Sequence, residues 1–134
     1  MNNKNQSIKE WLFFATSDIK SAEASFKANI HHNACFHSHQ AAEKTLKALY
    51  IHQNQIIPKV HDLLYLLNKS KNKEKLLGLK KELNFLNQFY IPTRYPDVLP
   101  GSLPEGLPDK KDAQKAIKYA KEIVNFINKT LLKL

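Results

Sequence analysis

The chain has one cysteine and three glycines among its 134 residues, and each scarcity excludes a class of protein. Because Cys35 is the only cysteine, it cannot form a disulfide within the chain and cannot by itself make a cysteine-based zinc site. The glycines are too scattered for a phosphate-binding loop, and neither a nucleophile elbow nor a paired-cysteine motif occurs. The sequence therefore lacks the standard machinery of nucleotide hydrolases.

Long hydrophobic runs are also missing. The segment Trp11–Ala15 is five apolar residues long, whereas a bilayer helix needs roughly 18. The N-terminal residues lead into an amphipathic segment that contains acids, which is unlike a signal peptide. We therefore expect a cytoplasmic protein without a membrane span. A composition of 43% hydrophobic and 25% charged residues is that of an ordinary globular protein, and we expect one domain over residues 1–134.

The balance of residue types favours helix. Valine and threonine total 7 residues, against 49 leucines, alanines and lysines, and β-branched side chains lose rotamer freedom in helices. Five of the six prolines lie between Pro92 and Pro108, spaced every fourth residue, so no helix can cross that segment. We predict an all-α fold, an up-and-down bundle of four to five helices with a long proline-rich loop before the last helix.

Apolar spacing places the first two helices. Ser7 and Glu10 have the spacing of a capping box and predict that the first helix begins there. A break at Asn29–Asn33 precedes a second helix over about 33–53. The predicted inward faces are Ile8, Leu12, Ala15, Ile19, Ala22 and Phe26 in the first helix, and Cys35, His39, Ala42, Leu46 and Leu49 in the second.

The later helices follow from the same patterns. Val60–Asn68 predicts a short helix capped by His61 or Asp62, and Lys69–Lys75 predicts a basic linker. Asp109 is the expected N-cap of the final helix. Two further apolar stripes are Leu76, Leu79, Leu83, Leu86 and Tyr90 before the proline segment, and Ala113, Ala116, Ala120, Ile123 and Ile127 after it.

A metal site is one interpretation of four side chains that recur every fourth residue: His31, Cys35, His39 and Glu43. All four suit zinc. One straight helix cannot surround an ion with four such ligands, however, so at most two would bind. We therefore favour His39 as a hydrogen-bonded core histidine.

The second helix also carries a more polar face, formed by Phe36, Gln40, Glu43, Lys47 and Tyr50. Glu43 and Lys47 make a favourable i,i+4 pair, which contributes about 0.3–0.5 kcal/mol when exposed. Such pairs usually belong only to the surface. This one gains interest if the face lines a groove opposite the segment Pro92–Asp97.

Arg94 is the only arginine beside twenty lysines. A guanidinium offers a planar, bidentate fork that an ammonium cannot supply. Arg94 could therefore grip a phosphate, or stack with Tyr95 or Tyr90 beside a base. It could equally pair with Asp97 or Glu43 and merely fasten the loop to the bundle.

Several segments together resemble the HEPN domain (higher eukaryotes and prokaryotes nucleotide-binding). The resemblance covers about residues 7–130 and implies a helical bundle that commonly forms a homodimer and associates with nucleotides or RNA. Many relatives work beside a small nucleotidyltransferase as a toxin–antitoxin or two-component pair. The segments are Trp11–Ala22 with Ala15 and Asp18, Gln40–Lys44 with Leu46–Ala48, His61–Leu63, and Tyr90 with Thr93–Asp97.

One departure from the family bears on activity. HEPN ribonucleases share an arginine followed four to six residues later by a histidine, but here no histidine follows Arg94 and the last one is His61. We therefore expect a non-catalytic, cofactor-free module, a homodimer whose groove takes an ATP-like nucleotide or a partner's nucleotide-bound surface. In it Arg94 would contact phosphate, Tyr95 or Tyr90 would stack, and Asp97 would position the arginine. Lys47 and Glu43 would supply charge and orientation across the groove.

Two alternatives remain. The first is a metal-independent ribonuclease toxin that uses Arg94 and His61; a net charge of +9 favours RNA association, although lysines spread over every helix usually form only a solvated surface. The second is a purely structural adaptor for a nucleotidyltransferase. Phe13, Phe14 and Phe85 fall off the inward stripes and could form its apolar patch, but we favour them as extra width of the core.

Overall fold

The computed structural model describes residues 2–90 and 106–133, and these residues form helices and turns with no strand among them. The all-α prediction is confirmed. A 3-10 turn, Leu77–Leu79, connects two of the helices, and the last helix continues as a π-helical stretch, Ile127–Leu132. In chain order the α-helices are α1 (Asn2–Lys27), α2 (His31–His52), α3 (Leu63–Lys69), α4 (Lys73–Leu76), α5 (Lys80–Asn87) and α6 (Lys110–Phe126).

Helix α2 is the centre of the bundle. It forms a hairpin with α1 and packs against α6, while α3 and α5 pack on each other and on α2. Thirteen of its 22 residues are buried, so α2 is enclosed on most of its circumference. The polar side chains on the buried part of α2 therefore contact neighbouring helices or loops. The predicted inward stripe is buried throughout: Cys35, His39, Ala42, Leu46 and Leu49.

Local sequence chemistry fixes the turns between these helices. Asn29 has a φ of 62°, a left-handed conformation that asparagine tolerates better than most residues, and it reverses the chain between α1 and α2. The Asp62 carboxylate accepts hydrogen bonds from the amides of Leu64 and Tyr65, at 2.9 and 3.1 Å, and caps α3. Asp109 and Asp112 form a capping box that starts α6. Both carboxylate caps agree with the sequence prediction.

Several helix boundaries were predicted wrongly. Helix α1 begins at Asn2, five residues before the proposed capping box, so Ser7 lies inside the helix. Helix α2 begins at His31 and α3 at Leu63. The leucine stripe expected to form one helix is interrupted by the 3-10 turn, although its four leucines are buried. The residue at which a helix begins or ends depends on which side chains are buried by the neighbouring helices, and the spacing of apolar residues does not predict this.

Two further predictions concern long segments. Most of the proline-rich segment Pro92–Pro108 lies outside the described residues, so the loop predicted there stays a prediction. Within the described residues, no helix combines the length and apolar character needed to cross a bilayer.

Candidate functional site

A buried ion pair lies on the polar face of α2. The Lys47 ammonium donates to Glu43 Oε2 at 2.7 Å, and the two residues are only 6% and 4% exposed. The interpretation of this pair as a solvent-exposed surface ion pair is therefore wrong. Removing one member of a buried ion pair destabilises a protein far more than removing one member of an exposed i,i+4 pair, because it leaves an uncompensated buried charge. The pair therefore fixes the geometry of this face.

His61 completes the cluster from outside α2. Its Nδ1 lies 3.0 Å from Glu43 Oε2 and 3.2 Å from Oε1. Because a carboxylate only accepts, the Nδ1–H of His61 donates this hydrogen bond to Glu43, and in a neutral imidazole with that tautomer the lone pair is on Nε2. His61 immediately precedes Asp62, the cap of α3, so the start of that helix holds the imidazole against α2. The His61 side chain is 49% exposed.

Tyr90 forms the outer part of the cluster. Its ring stacks on the His61 imidazole with centroids 4.2 Å apart and an interplanar angle of 14°. The rings of Phe36 and His39 also lie near it, at 6.1 and 5.6 Å. Four aromatic or imidazole rings from α2, the start of α3 and the end of the α5 region thus meet above the Glu43–Lys47 pair.

His39 is a core histidine, as the sequence analysis favoured. It is fully buried, and its Nε2 donates to the His61 carbonyl oxygen at 3.0 Å. Its Nδ1 lies 3.1 Å from the Gln40 amide oxygen and 3.8 Å from Glu43 Oε1. Burial lowers the pKa of His39 below its ordinary value, a shift that the nearby Glu43 carboxylate opposes. Among the described residues no His, Cys, Asp or Glu group has the arrangement of a metal site.

A second polar cluster joins α1 to α2. The Asp18 carboxylate is 7% exposed and accepts from Lys44 Nζ at 2.6 Å, while its other oxygen lies 2.9 Å from His37 Nδ1. This cluster was not among the predicted site residues. The available signal was the spacing of Asp18, three residues after Ala15 and four before Ala22, which puts the acid on the buried side of α1. Each buried carboxylate of α1 and α2 is thus neutralised by a lysine from α2.

Aromatic side chains of α1 flank these lysines. The ring centroid of Trp11 lies 5.9 Å from Lys47 Nζ, and that of Phe14 lies 6.0 Å from Lys44 Nζ. Both distances are within cation–π range. The two ammonium groups are therefore held between a carboxylate and an aromatic face, which restricts their orientation.

The structure separates the predicted site residues into three groups. Glu43, Lys47, His61 and Tyr90 are brought together. Tyr50, assigned to the same face, is instead buried in the core and donates to the Leu66 carbonyl oxygen at 2.8 Å. The remaining predicted residues, Arg94, Tyr95 and Asp97, lie outside the described residues.

Of Phe13, Phe14 and Phe85, which were expected to widen the core, only Phe85 is packed against it. Phe85 packs against the core, with edge-on contacts to Phe89 and Tyr119. Phe13 and Phe14 are 64% and 53% exposed, so the preferred interpretation as extra core width is wrong for these two. Phe13 and Phe14 contact each other edge-on, with ring centroids 5.3 Å apart.

Comparisons with known proteins agree with this architecture. The model of the HEPN domain family matches residues 8–130. A relative named "Putative toxin MJ1304", from Methanocaldococcus jannaschii, is 30% identical over 123 residues, and the match covers 84% of this chain and 80% of that protein. The crystal structure of TT1696 from Thermus thermophilus matches with a TM-score of 0.82 at 29% identity, covering 98% of this chain and 100% of that one. ST0689, described as an archaeal HEPN homologue, matches with a TM-score of 0.71 at 29% identity, covering 91% and 95%.

Proposed function

This chain belongs to the HEPN family, and from that premise we propose that it is a non-catalytic nucleotide-binding module that works as a homodimer. The observation that carries the proposal is the half-exposed His61–Tyr90 stack anchored on the buried Glu43–Lys47 pair. A flat aromatic surface of this kind accepts a base by stacking and tolerates any base, because every base has a π-face. Its rigidity lowers the ordering cost of binding.

The phosphate side of the ligand is assigned to Arg94. Lys47 is already neutralised by Glu43, so it orients the carboxylate and the imidazole rather than binding an anion itself. Arg94 follows Tyr90 by four residues in the sequence, and its fork suits a phosphate. In this proposal Tyr95 extends the stacking surface, and Asp97 positions the guanidinium.

Thermal unfolding with millimolar ATP, ADP or AMP tests the proposal. A ligand that binds the folded state stabilises it by RT ln(1 + [L]/Kd), about 2.7 kcal/mol when its concentration is a hundred times Kd. We expect the melting temperature of the wild type to rise, and the rise to be lost in both Arg94→Ala and His61→Ala. The matched control is His52→Ala, which removes an exposed histidine at the far end of α2 and should respond as the wild type does. No shift with any of the three nucleotides would refute the proposal.

A second candidate function, a metal-independent ribonuclease toxin, is favoured by one contact. His61 Nδ1 lies 3.0 Å from Glu43 Oε2, so the carboxylate orients the imidazole. In the tautomer that donates to Glu43 through Nδ1, the lone pair on Nε2 can take a proton from a ribose 2′-hydroxyl. The relative from Methanocaldococcus jannaschii is itself named a putative toxin. The argument against this function is that no histidine follows Arg94 in the sequence.

Incubation of the purified protein with total RNA in the presence of a chelator separates the two functions. Cleavage that disappears in His61→Ala and in Arg94→Ala, and persists in His52→Ala, would establish the ribonuclease. Intact RNA in all four samples would support the binding module instead.

A nucleotidyltransferase is the proposed partner protein, on the family resemblance alone. Co-expression with a nucleotidyltransferase encoded beside this chain, followed by affinity purification, tests the association. A purely structural adaptor would co-purify with that partner and show no nucleotide-dependent stabilisation, whereas the binding module shows the stabilisation by itself.

A further inference from the structure

A cleft of about 340 Å³ lies between α1 and α6 and shares no residue with the His61–Tyr90 stack. Helix α1 packs much less extensively on α6 than on α2, so the two helices leave a wedge open between them. Small-molecule sites are clefts of about 300–1,000 Å³, and this one falls at the lower end of that range. Its walls are formed by five side chains: Glu23, Phe26, Lys27, Gln114 and Ile117.

The two apolar walls of the cleft are held in place by the core. Ile117 is only 9% exposed, and both it and Phe26 belong to the packed interior of the bundle. The Phe26 ring also lies near the His31 ring, with centroids 6.0 Å apart, which restricts its movement. An aromatic wall beside an aliphatic one accepts an apolar or aromatic ligand body. Because these walls are already ordered, less conformational freedom is lost on binding.

The polar groups at the cleft leave donors free, whereas the carboxylate is occupied. Glu23 is paired with Lys121 of α6. Within the part of the chain that the structure describes, the Lys27 ammonium and the Gln114 amide make neither an ion pair nor a hydrogen bond. An ammonium has only donors, and the amide nitrogen supplies two more. The complementary group on a ligand is therefore an acceptor that carries negative charge.

We propose that this cleft binds a small organic acid. Its apolar body lies against Phe26 and Ile117, and its carboxylate lies between the Lys27 ammonium and the Gln114 amide. At about 30 Å³ for each water-sized group, a cleft of about 340 Å³ holds roughly eleven non-hydrogen atoms, so a whole nucleotide is too large for it. The inference thus goes beyond the proposed nucleotide-binding function and does not depend on it.

Charge at the cleft selects a monoanion. The ionised groups there are two lysines, Lys27 and Lys121, and the carboxylate of Glu23, so one positive charge is in excess. An amine would face this excess, and the carboxylate at the cleft is already paired. A phosphate dianion would be repelled by Glu23 more strongly than a carboxylate is. A single carboxylate balances Lys27 and accepts its charge-assisted hydrogen bond.

Titration of the full chain with hydrocinnamate, followed by two-dimensional amide NMR, tests the proposal. We expect a dissociation constant of about 1 mM or lower, with the largest shift changes at the amides of the five lining residues. The neutral isostere hydrocinnamide should bind roughly tenfold more weakly because it cannot accept a charge-assisted hydrogen bond, and phenylpropylamine more weakly still. Shift changes confined to other residues, or equal affinity for the acid and its amide, would overturn the proposal.

Two substitutions at the cleft should act in opposite directions. Lys27→Met should weaken hydrocinnamate binding roughly tenfold. Glu23→Gln should strengthen it a few-fold, because it removes a like charge and releases Lys121. The matched control Lys129→Met removes an exposed lysine in the π-helical stretch after α6 and should bind as the wild type does. Wild-type affinity in Lys27→Met, or weaker binding in Glu23→Gln, would contradict the assigned carboxylate position.

The outcomes for this cleft are separate from those for nucleotide binding. Millimolar ATP should leave the dissociation constant of hydrocinnamate unchanged, and competition between the two ligands would overturn a separate site. A protein that binds hydrocinnamate at the cleft but gains no thermal stability with any nucleotide would support the cleft and refute nucleotide binding. A protein that is stabilised by nucleotide but shows no hydrocinnamate shifts would do the reverse.

Discussion

Replacing Lys47 with methionine should be among the most destabilising single changes on α2. The variant removes the ammonium that donates to Glu43 at 2.7 Å and leaves a carboxylate that is 4% exposed. An exposed i,i+4 pair contributes only about 0.3–0.5 kcal/mol, whereas removing one member of a buried pair costs about 3–5 kcal/mol. Because His61 still donates to Glu43, we expect a loss of about 3 kcal/mol, the lower end of that range.

Urea denaturation at fixed protein concentration measures the free energy of unfolding of each variant. The double variant Glu43→Gln/Lys47→Met removes both charges and should recover at least about 2 kcal/mol of the loss, since no ion is then left unpaired. In thermal melting, the single change should lower the midpoint by roughly 10 °C.

Lys121→Met is the matched control. Lys121 pairs with Glu23 across α6 and α1, but these side chains are 48% and 41% exposed, so the loss should stay below about 1 kcal/mol. If Lys47→Met costs no more than Lys121→Met, the Glu43–Lys47 pair does not have the energetic role that its burial implies.

Three further predictions concern other buried or capping groups. Burial lowers the pKa of His39, so the unfolded chain binds a proton at His39 more readily than the folded chain does. The free energy of unfolding should therefore fall as pH drops below about 6.5. Thermal melting of both proteins should show a shallower decline for His39→Gln than for the wild type. Tyr50→Phe should cost about 1–2 kcal/mol in urea denaturation because the Leu66 carbonyl loses a buried donor, and equal stability of the two proteins would contradict this. The Asp109 pKa is lowered, chiefly by the hydrogen bond from the Asp112 backbone amide, so its stabilising effect is present above the ordinary aspartate pKa and is lost as pH falls through the folded value; Asp109→Asn, which keeps a capping oxygen without the titration, should reduce the acid sensitivity measured by circular dichroism.

Much of the fold was predictable because its determinants are local. The inward stripe of α2 and the caps Asp62 and Asp109 depend only on helical periodicity and on carboxylates placed beside free amides. The start of α1 was not predictable in this way. Ser7 and Glu10 have the spacing of a capping box, but the helix begins five residues earlier, at Asn2. The free energy of one capping interaction is small, and a helix that has already formed extends readily by further residues.

The candidate site was predicted only in part. The residue types were identified: Glu43 and Lys47 by their spacing, His61 and Tyr90 by the family resemblance. The burial of Glu43 and Lys47 was not predicted, because a polar face on a helical wheel is the same whether water or another helix covers it. The exposure of Phe13 was missed for the converse reason, since an aromatic side chain beside a buried stripe can lie on either side of the packing boundary.

The sequence by itself determined that this chain is helical and where its apolar faces lie, because these depend on residues within a few turns of one another; the order of its motifs along the chain indicated which family it resembles. The tertiary structure alone decided which polar groups meet between different helices. Glu43 contacts a histidine 18 residues away, and Asp18 contacts a lysine 26 residues away. Those pairings depend on how α1, α2 and α3 pack, and packing is set by the shape of the whole core rather than by any single segment.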